Sequence, residues 1–237
     1  MARTGKPRPA SDEKTGGMRM RKKARRREDI LRHAAELFSA QGVDATTMAE
    51  IADAVEVSPP TIFNYFGNKD GILIALVTEG TSRGRVSKWA EMPVTNGDFR
   101  AILLDLFANF SADTLEIAGK RIWRYAEAAT IRHPTTELAR SYETLDAELR
   151  RWLAGFFDLY DVRLRSGERP DPALLARIFH DVWNAAFFEL IKDESMTLAR
   201  HRDTIEARLE PLASMLFTDA FLTEPTLKSP EVSVADR

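Results

Sequence analysis

The sequence predicts an all-α protein of about nine helices, and three observations lead there. Apolar residues recur at i, i+3 and i+4 along most of the chain. Neither the period-two alternation of a half-buried strand nor an internal repeat appears. Capping and turn residues fall between the periodic runs rather than inside them. With 237 residues, 44% hydrophobic and 30% charged, the chain can bury a sizeable core.

Residues 1–18 hold Gly, Pro, Ser and charge with almost no large apolar group, so a disordered arm is expected over 1–24. From Arg25 to Gln41 the residues Ile30, Leu31, Ala34, Leu37 and Phe38 follow helical spacing, and Gly42 supplies the stop. Thr47-Met-Ala-Glu50 reads as a capping box opening a short helix through about Ala54. A third helix is expected over Pro60–Phe66, with Ser58 as its N-cap and Pro59 extended, because Pro60 disfavours the α region before it. Proline in a first turn costs little, since its missing N–H would have had no intrahelical partner. Asn68 can cap a fourth helix carrying Ile72, Leu73, Leu76 and Val77.

Beyond Pro93 the helical periodicity returns. Phe99, Ile102, Leu103, Leu106, Phe107 and Phe110 form one stripe, and Leu138, Tyr142, Leu145, Leu149, Trp152, Leu153, Phe156 and Tyr160 form a longer one. A polar loop over Arg165–Pro172 leads to two long helices, expected at about Pro172–Lys192 and Leu198–Leu222. The remainder, 223–237, reads as a flexible tail.

Several chemistries are excluded or disfavoured. The absence of cysteine removes disulfides, thiolate metal sites and cysteine nucleophiles. The four histidines, at 33, 133, 180 and 201, have no i+3 or i+4 partner suited to a metal pair. Without a Gly-rich phosphate loop or nucleophile elbow, an enzyme, a cofactor and a metal are not expected. No membrane span or signal-peptide core is visible, and a cytoplasmic location is expected. Charge is divided unevenly: residues 1–27 carry 11 Lys/Arg against Asp12 and Glu13, so the formal −2 of the chain conceals a basic arm on an acidic body. Such an arm suits a polyanion.

Three short helices with a tight turn between the second and third have the spacing of a helix-turn-helix, whose last helix enters the major groove. Thr46-Thr47-Met-Ala-Glu-Ile51-Ala52, Val57-Ser58, Thr61-Ile62-Phe63-Asn64-Tyr65-Phe66 and Asn68-Lys69, taken together, resemble the TetR family of transcriptional regulators over about residues 25–75. The resemblance implies a helix-turn-helix domain over 25–70, and an effector-binding and dimerisation domain over 71–222. It implies that Thr47, Tyr65 and Lys69 hold phosphates while Thr61 and Asn64 face the major groove. Ser58 and Pro60, and Arg25 and Arg26 of the arm, complete the expected DNA contacts. Ile51, Ala52, Val57, Ile62 and Phe66 would form the small core.

Three departures from the family pattern stand out. Phe63 replaces a tyrosine and is expected mainly to pack; Glu56 stands where glycine is usual; Gly71 removes a capping carboxylate and should loosen the start of the fourth helix.

The resemblance further implies a ligand-responsive repressor that binds a palindromic double-stranded operator as a homodimer formed by the last two long helices. Ile205, Leu209, Leu212, Leu216, Ala220 and Phe221 with Ile178, Val182, Ala185, Ala186 and Glu189 are the candidate dimer stripes. A small apolar or amphipathic effector is expected among Phe107, Phe110, Trp123, Glu127, Phe156, Tyr160, His180, Trp183, Asn184 and Phe187. Asn184 interrupts an apolar run, so it needs a ligand, a second subunit or a backbone carbonyl as partner. The competing reading is a helical enzyme, or a ligand-binding protein without operator recognition.

Overall fold

The computed structural model describes residues 11–78 and 97–228, with side chains from residue 17 onward. These residues form ten helices and two isolated β-bridges. In chain order the helices are α1 (Ser11–Gln41), α2 (Met48–Ala54), α3 (Pro59–Phe66), α4 (69–78), α5 (Phe99–Ile117), α6 (Lys120–Arg132), α7 (Glu137–Asp158), α8 (Pro172–Lys192), α9 (Leu198–Leu216) and α10 (Asp219–Thr223). The chain divides into two compact units, with the boundary between Ile72 and Leu73, inside α4.

The arm differs from the sequence expectation: residues 11–24 are helical and continuous with α1. Residues 18–28 contain Met, Arg, Lys, Ala and Glu, all good helix formers, and no proline. Extending an existing helix avoids the nucleation cost, and like-charge neighbours cost only a few tenths of a kcal/mol per pair. The expectations for residues 1–10 and 229–237 lie outside the described residues.

The first unit is built around Ile30, Leu31, Ala34, Phe38, Val43, Ile51, Ala52 and Ile62, all buried. Leu37, Val57 and Phe66 are only half-buried. The Thr47 capping box is complete: Glu50 N–H donates to Thr47 Oγ1 at 3.1 Å, and Thr47 N–H to Glu50 Oε2 at 2.7 Å. After α2 the chain makes a Schellman turn, with Val57 N–H on Ala52 O at 3.0 Å and Glu56 N–H on Asp53 O at 3.2 Å. Glu56 occupies the left-handed position with φ 53°, where glycine is the usual residue.

Helix α3 begins at Pro59, one residue earlier than expected, and the Ser58 hydroxyl does not cap it. The prolines explain why. Neither Pro59 nor Pro60 has an N–H, and the first available amide, Thr61 N–H, already donates to Ser58 O at 2.9 Å. The Ser58 hydroxyl instead pairs with Thr61 Oγ1 at 2.9 Å. Nor is the start of α4 loose. Asn68 Oδ1 accepts from Gly71 N–H at 2.9 Å, and a Cβ at Gly71 would lie 1.9 Å from Phe66 O. Only glycine lets α3 and α4 close this turn.

In the second unit α9 packs against both α5 and α8, α6 and α7 lie against α8, and α10 covers α5 and α9. Phe99 sits at the centre of an aromatic cluster, with Phe221, Tyr160 and Phe217 ring centroids 4.8, 5.0 and 5.8 Å away. Helix α9 stops at Leu216 rather than near Leu222. Phe217 turns extended to bridge Leu164, and Arg165 N–H takes the carbonyl of Leu216 at 2.9 Å. The chain after α10 is docked as far as Lys228, whose N–H donates to Leu159 O at 2.8 Å.

The expected dimer stripes divide. Ile205, Leu209, Ala186 and Phe221 are buried within the subunit, because the inward stripe of α9 meets α5 and α8. Ile178, Val182, Leu212 and Leu216 remain half-buried, and Ala185, Glu189 and Ala220 are exposed. Outside the expected stripes, Leu174 of α8 and Met215 of α9 are 51% and 68% exposed.

Candidate nucleic-acid interface and ligand cavity

In the first unit α3 is short, with Ile62 as its buried residue. Burying Ile62 fixes the rotation of the helix, and Ser58, Pro60, Phe63 and Asn64 are left exposed with Thr61 half-exposed. Phe63 is 49% exposed and therefore does not pack as expected. A large ring left in water on this face is the feature that sequence reasoning misjudged.

Tyr65 and Lys69 are more committed within the unit. Lys69 Nζ donates to the carbonyls of Val43 and Asp44 at 2.8 and 3.2 Å, tying α4 to the turn after α1. An ammonium has three donors, so this clamp uses two. Arg27 places its guanidinium 4.4 Å from the Phe66 ring centroid and donates to Tyr65 O at 3.4 Å. Lys23 lies 6.0 Å from the Tyr65 ring. Those contacts join the basic end of α1 to the end of α3. Thr47 and Glu50 stand exposed at the start of α2, with Thr47 Oγ1 also donating to Glu50 Oε2 at 2.9 Å. The bonds from the Thr47 backbone and hydroxyl hold the Glu50 carboxyl below its usual range, keeping it ionised for the box. Arg25 and Arg26 are exposed on α1.

The second unit contains a cleft of about 400 Å³, part of it open to solvent, between α5, α6, α7 and α8. Of the expected ligand residues, Trp123, Trp183, Asn184 and Phe187 line it. Thr114, Tyr142, Leu145, Asp146 and Leu149 also line it and were not foreseen. For Asp146 the missed signal was its place between Tyr142 and Leu149 on one apolar stripe of α7.

Phe107, Phe110, Phe156 and Tyr160 are not brought to this cleft. Phe107 and Phe110 stand behind Trp183, each with its ring centroid 6.1 Å away, and Phe156 and Tyr160 join the Phe99 cluster. Helical periodicity marks an inward face but cannot separate core from cavity wall. Tyr160 lines a different cleft, beside Arg169 and Lys228, and its buried hydroxyl has no hydrogen-bond partner.

Both cavity indoles already have acceptors within the fold. Trp123 Nε1–H donates to Thr114 O at 2.8 Å, and Trp183 Nε1–H to Ser111 Oγ at 2.9 Å. Ser111 Oγ also lies 2.7 Å from His201 Nε2, so α5, α8 and α9 share one buried polar junction. Burial drives the His201 pKa down to about 4, and the charges of Lys120 and Arg208 push the same way, so the ring is neutral at pH 7.

His180 is buried, with Nε2 2.8 Å from Asp146 Oδ1 but poorly aligned for a hydrogen bond. Burial tends to raise the Asp146 carboxyl, but the contact with His180 and the pairing with Arg150 outweigh it and hold the group below its usual range. Burial pushes Glu127 up; a hydrogen bond with Tyr142 opposes this, and the Asp146 charge adds to it. Glu127 Oε2 is buried without a hydrogen-bond partner. Among the described residues no group of three or more His, Asp or Glu could hold a metal ion, and no helix is long and apolar enough to cross a membrane.

Residues 30–76 match a family model described as bacterial regulatory proteins, tetR family. The chain is similar to the HTH-type transcriptional repressor Rv1474c of Mycobacterium tuberculosis, at 31% identity over 179 residues, covering 68% of this chain and 93% of that protein. It is 40% identical over 77 residues to the HTH-type transcriptional regulator TcmR of Streptomyces glaucescens; this covers 32% of the chain and spans about a third (34%) of TcmR. The solved structure of Salmonella enterica GusR superposes with a TM-score of 0.60 at 20% identity, covering 81% of this chain and 95% of that one.

Proposed function

The chain belongs to the tetR family of bacterial regulatory proteins, and from that premise we propose that it is a sequence-specific DNA-binding transcriptional repressor released by a small ligand. The observation that carries the reading is α3: a helix held by Ile62 that offers Thr61, Phe63 and Asn64 outward from a helix-turn-helix. Thr61 and Asn64 would read the major groove, where an Asn amide pairs with an adenine edge. Ser58, Pro60 and Thr47 stand at helix starts suited to phosphate contacts, and Tyr65 and the third donor of Lys69 would add to them. Phe63 offers an apolar face that a thymine methyl can meet.

The basic end of α1 takes a defined place in this reading. A helix is about 10–12 Å across and the minor groove about 6 Å wide, so residues 11–27 would track the phosphates rather than enter that groove. Arg25 and Arg26 would lead those contacts.

The chain would act as a homodimer through α8 and α9, supported by exposed Leu174 and Met215. Two-fold symmetry then matches a palindromic operator with half-sites about one DNA turn apart. Ligand in the α5–α8 cleft would favour a dimer geometry that no longer fits that spacing, with α4 as the lever. Footprinting on DNA upstream of the chain's own gene tests the whole reading. A short palindromic protected site is expected; uniform coating or no protection overturns it.

A further inference from the structure

The α5–α8 cleft has an unusual balance of donors and acceptors. Four rings run along its wall: Tyr142 and Phe187 lie 6.2 and 6.3 Å from Trp123, and Trp183 stacks on Phe187 at 5.4 Å. Aromatic faces are electronegative and attract cations. The two indole N–H groups, which would otherwise serve an anion, are consumed by Thr114 O and Ser111 Oγ. The charged group in the wall is Asp146, and Glu127 lies one helical turn beyond Trp123 on α6.

The two carboxyl groups are unequally compensated. Arg150 and His180 both face Asp146, whereas Glu127 has a hydrogen bond from Tyr142 but keeps Oε2 buried without a partner, and the Asp146 charge adds to its cost of ionisation. A buried carboxylate without a full set of partners is expensive unless a counter-charge arrives. An anion entering here would meet the Asp146 carboxylate and ring faces. A cation would meet complementary charge and π-density together.

We propose that this cleft binds a cation, a protonated amine or quaternary ammonium carried on a small aromatic or apolar body, with Asp146 and Glu127 as its counter-charges. The proposal rests on the ligand-responsive reading above and names the chemical class of its effector.

Calorimetric titration of the full chain with three shape-matched probes tests it: benzyltrimethylammonium, its neutral isostere neopentylbenzene, and benzylsulfonate. The cation is expected to bind at least about tenfold tighter than the isostere, and the sulfonate weakest of the three. Glu127→Gln and Asp146→Asn should each lower cation affinity by about threefold or more while leaving the isostere unchanged. Circular dichroism would confirm that both variants are folded. Equal or tighter binding of the isostere or the sulfonate overturns the proposal, as does cation binding indifferent to both substitutions. If none of the three probes binds, it is overturned as well. None of these results removes the repressor reading, which fails on the footprint instead.

Discussion

The carbonyl oxygen of Phe66 occupies the space where a side chain at Gly71 would begin, 1.9 Å from the ideal Cβ position. The obstacle is backbone, so no rotamer change relieves it. Gly71→Ala should destabilise the first unit by about 1–3 kcal/mol, the range for overpacking. Chemical denaturation checks this, with operator affinity falling alongside. An unchanged unfolding midpoint would mean that the α3–α4 turn can open to admit a methyl group.

Glu56 gives the opposite prediction. A side chain at φ 53° carries a left-handed penalty of about 1–2 kcal/mol, which glycine does not. Glycine also has more entropy to lose, which returns about 0.5–1 kcal/mol. Glu56→Gly should therefore stabilise the chain modestly, with a rise in thermal midpoint. A fall would show that the Glu56 side chain makes a compensating contact.

The Ser111–His201 contact predicts an acid-sensitive core. The His201 pKa is about 4 folded, against an ordinary value of about 6.5 in the unfolded chain. Between those values the unfolded state holds the extra proton, so stability is fully present above pH about 6.5 and is lost as pH falls toward 4. The slope is up to about 1.4 kcal/mol per pH unit. Lys120 and Arg208 oppose protonation and Glu189 favours it, so the window follows their combined field. His201→Gln should flatten the dependence of the urea midpoint between pH 7 and 5. A slope identical to that of the parent would remove His201 as its source.

Helical phosphate tracking by α1 makes a salt-dependence prediction. Replacing Arg21, Lys22, Lys23 and Arg25 with Gln should weaken operator binding. The slope of log K against log salt should fall by about 0.9 for each phosphate that is no longer neutralised. A minor-groove ligand such as distamycin should not compete with the arm. Competition, or an unaltered slope, would contradict that placement.

The α8–α9 face predicts a dimer that one charge can break. Met215→Glu and Leu174→Glu each put an unpaired carboxylate into a surface proposed to close against its symmetry mate. Light scattering should show the mass halved while circular dichroism stays constant. A variant that remains dimeric places the interface elsewhere.

Much of the architecture was legible in the sequence because its signals are local. The Thr47 box, the Gly42 stop and the Asn68 cap each depend on a few adjacent residues, and each appears in the structure. The motif set spanning Thr46 to Lys69 carried the family resemblance for the same reason. Composition misled at the arm: Gly, Pro, Ser and charge with few large apolar groups suggested disorder through residue 24, while the propensity of residues 18–28 and continuity with α1 gave a helix from Ser11.

What the sequence by itself determined, then, is the helical class, the helix-turn-helix and the Thr47 and Asn68 caps, since local backbone chemistry governs these. The tertiary structure decided which apolar stripes are core and which are wall. Phe107 and Trp183 follow the same period, yet only Trp183 lines the cleft. It also exposed Phe63, engaged Lys69 with two carbonyls, and set Asp146 beside Glu127 and four rings. Those placements depend on the rotation and neighbours of whole helices, which long-range packing fixes and which no short window of residues encodes.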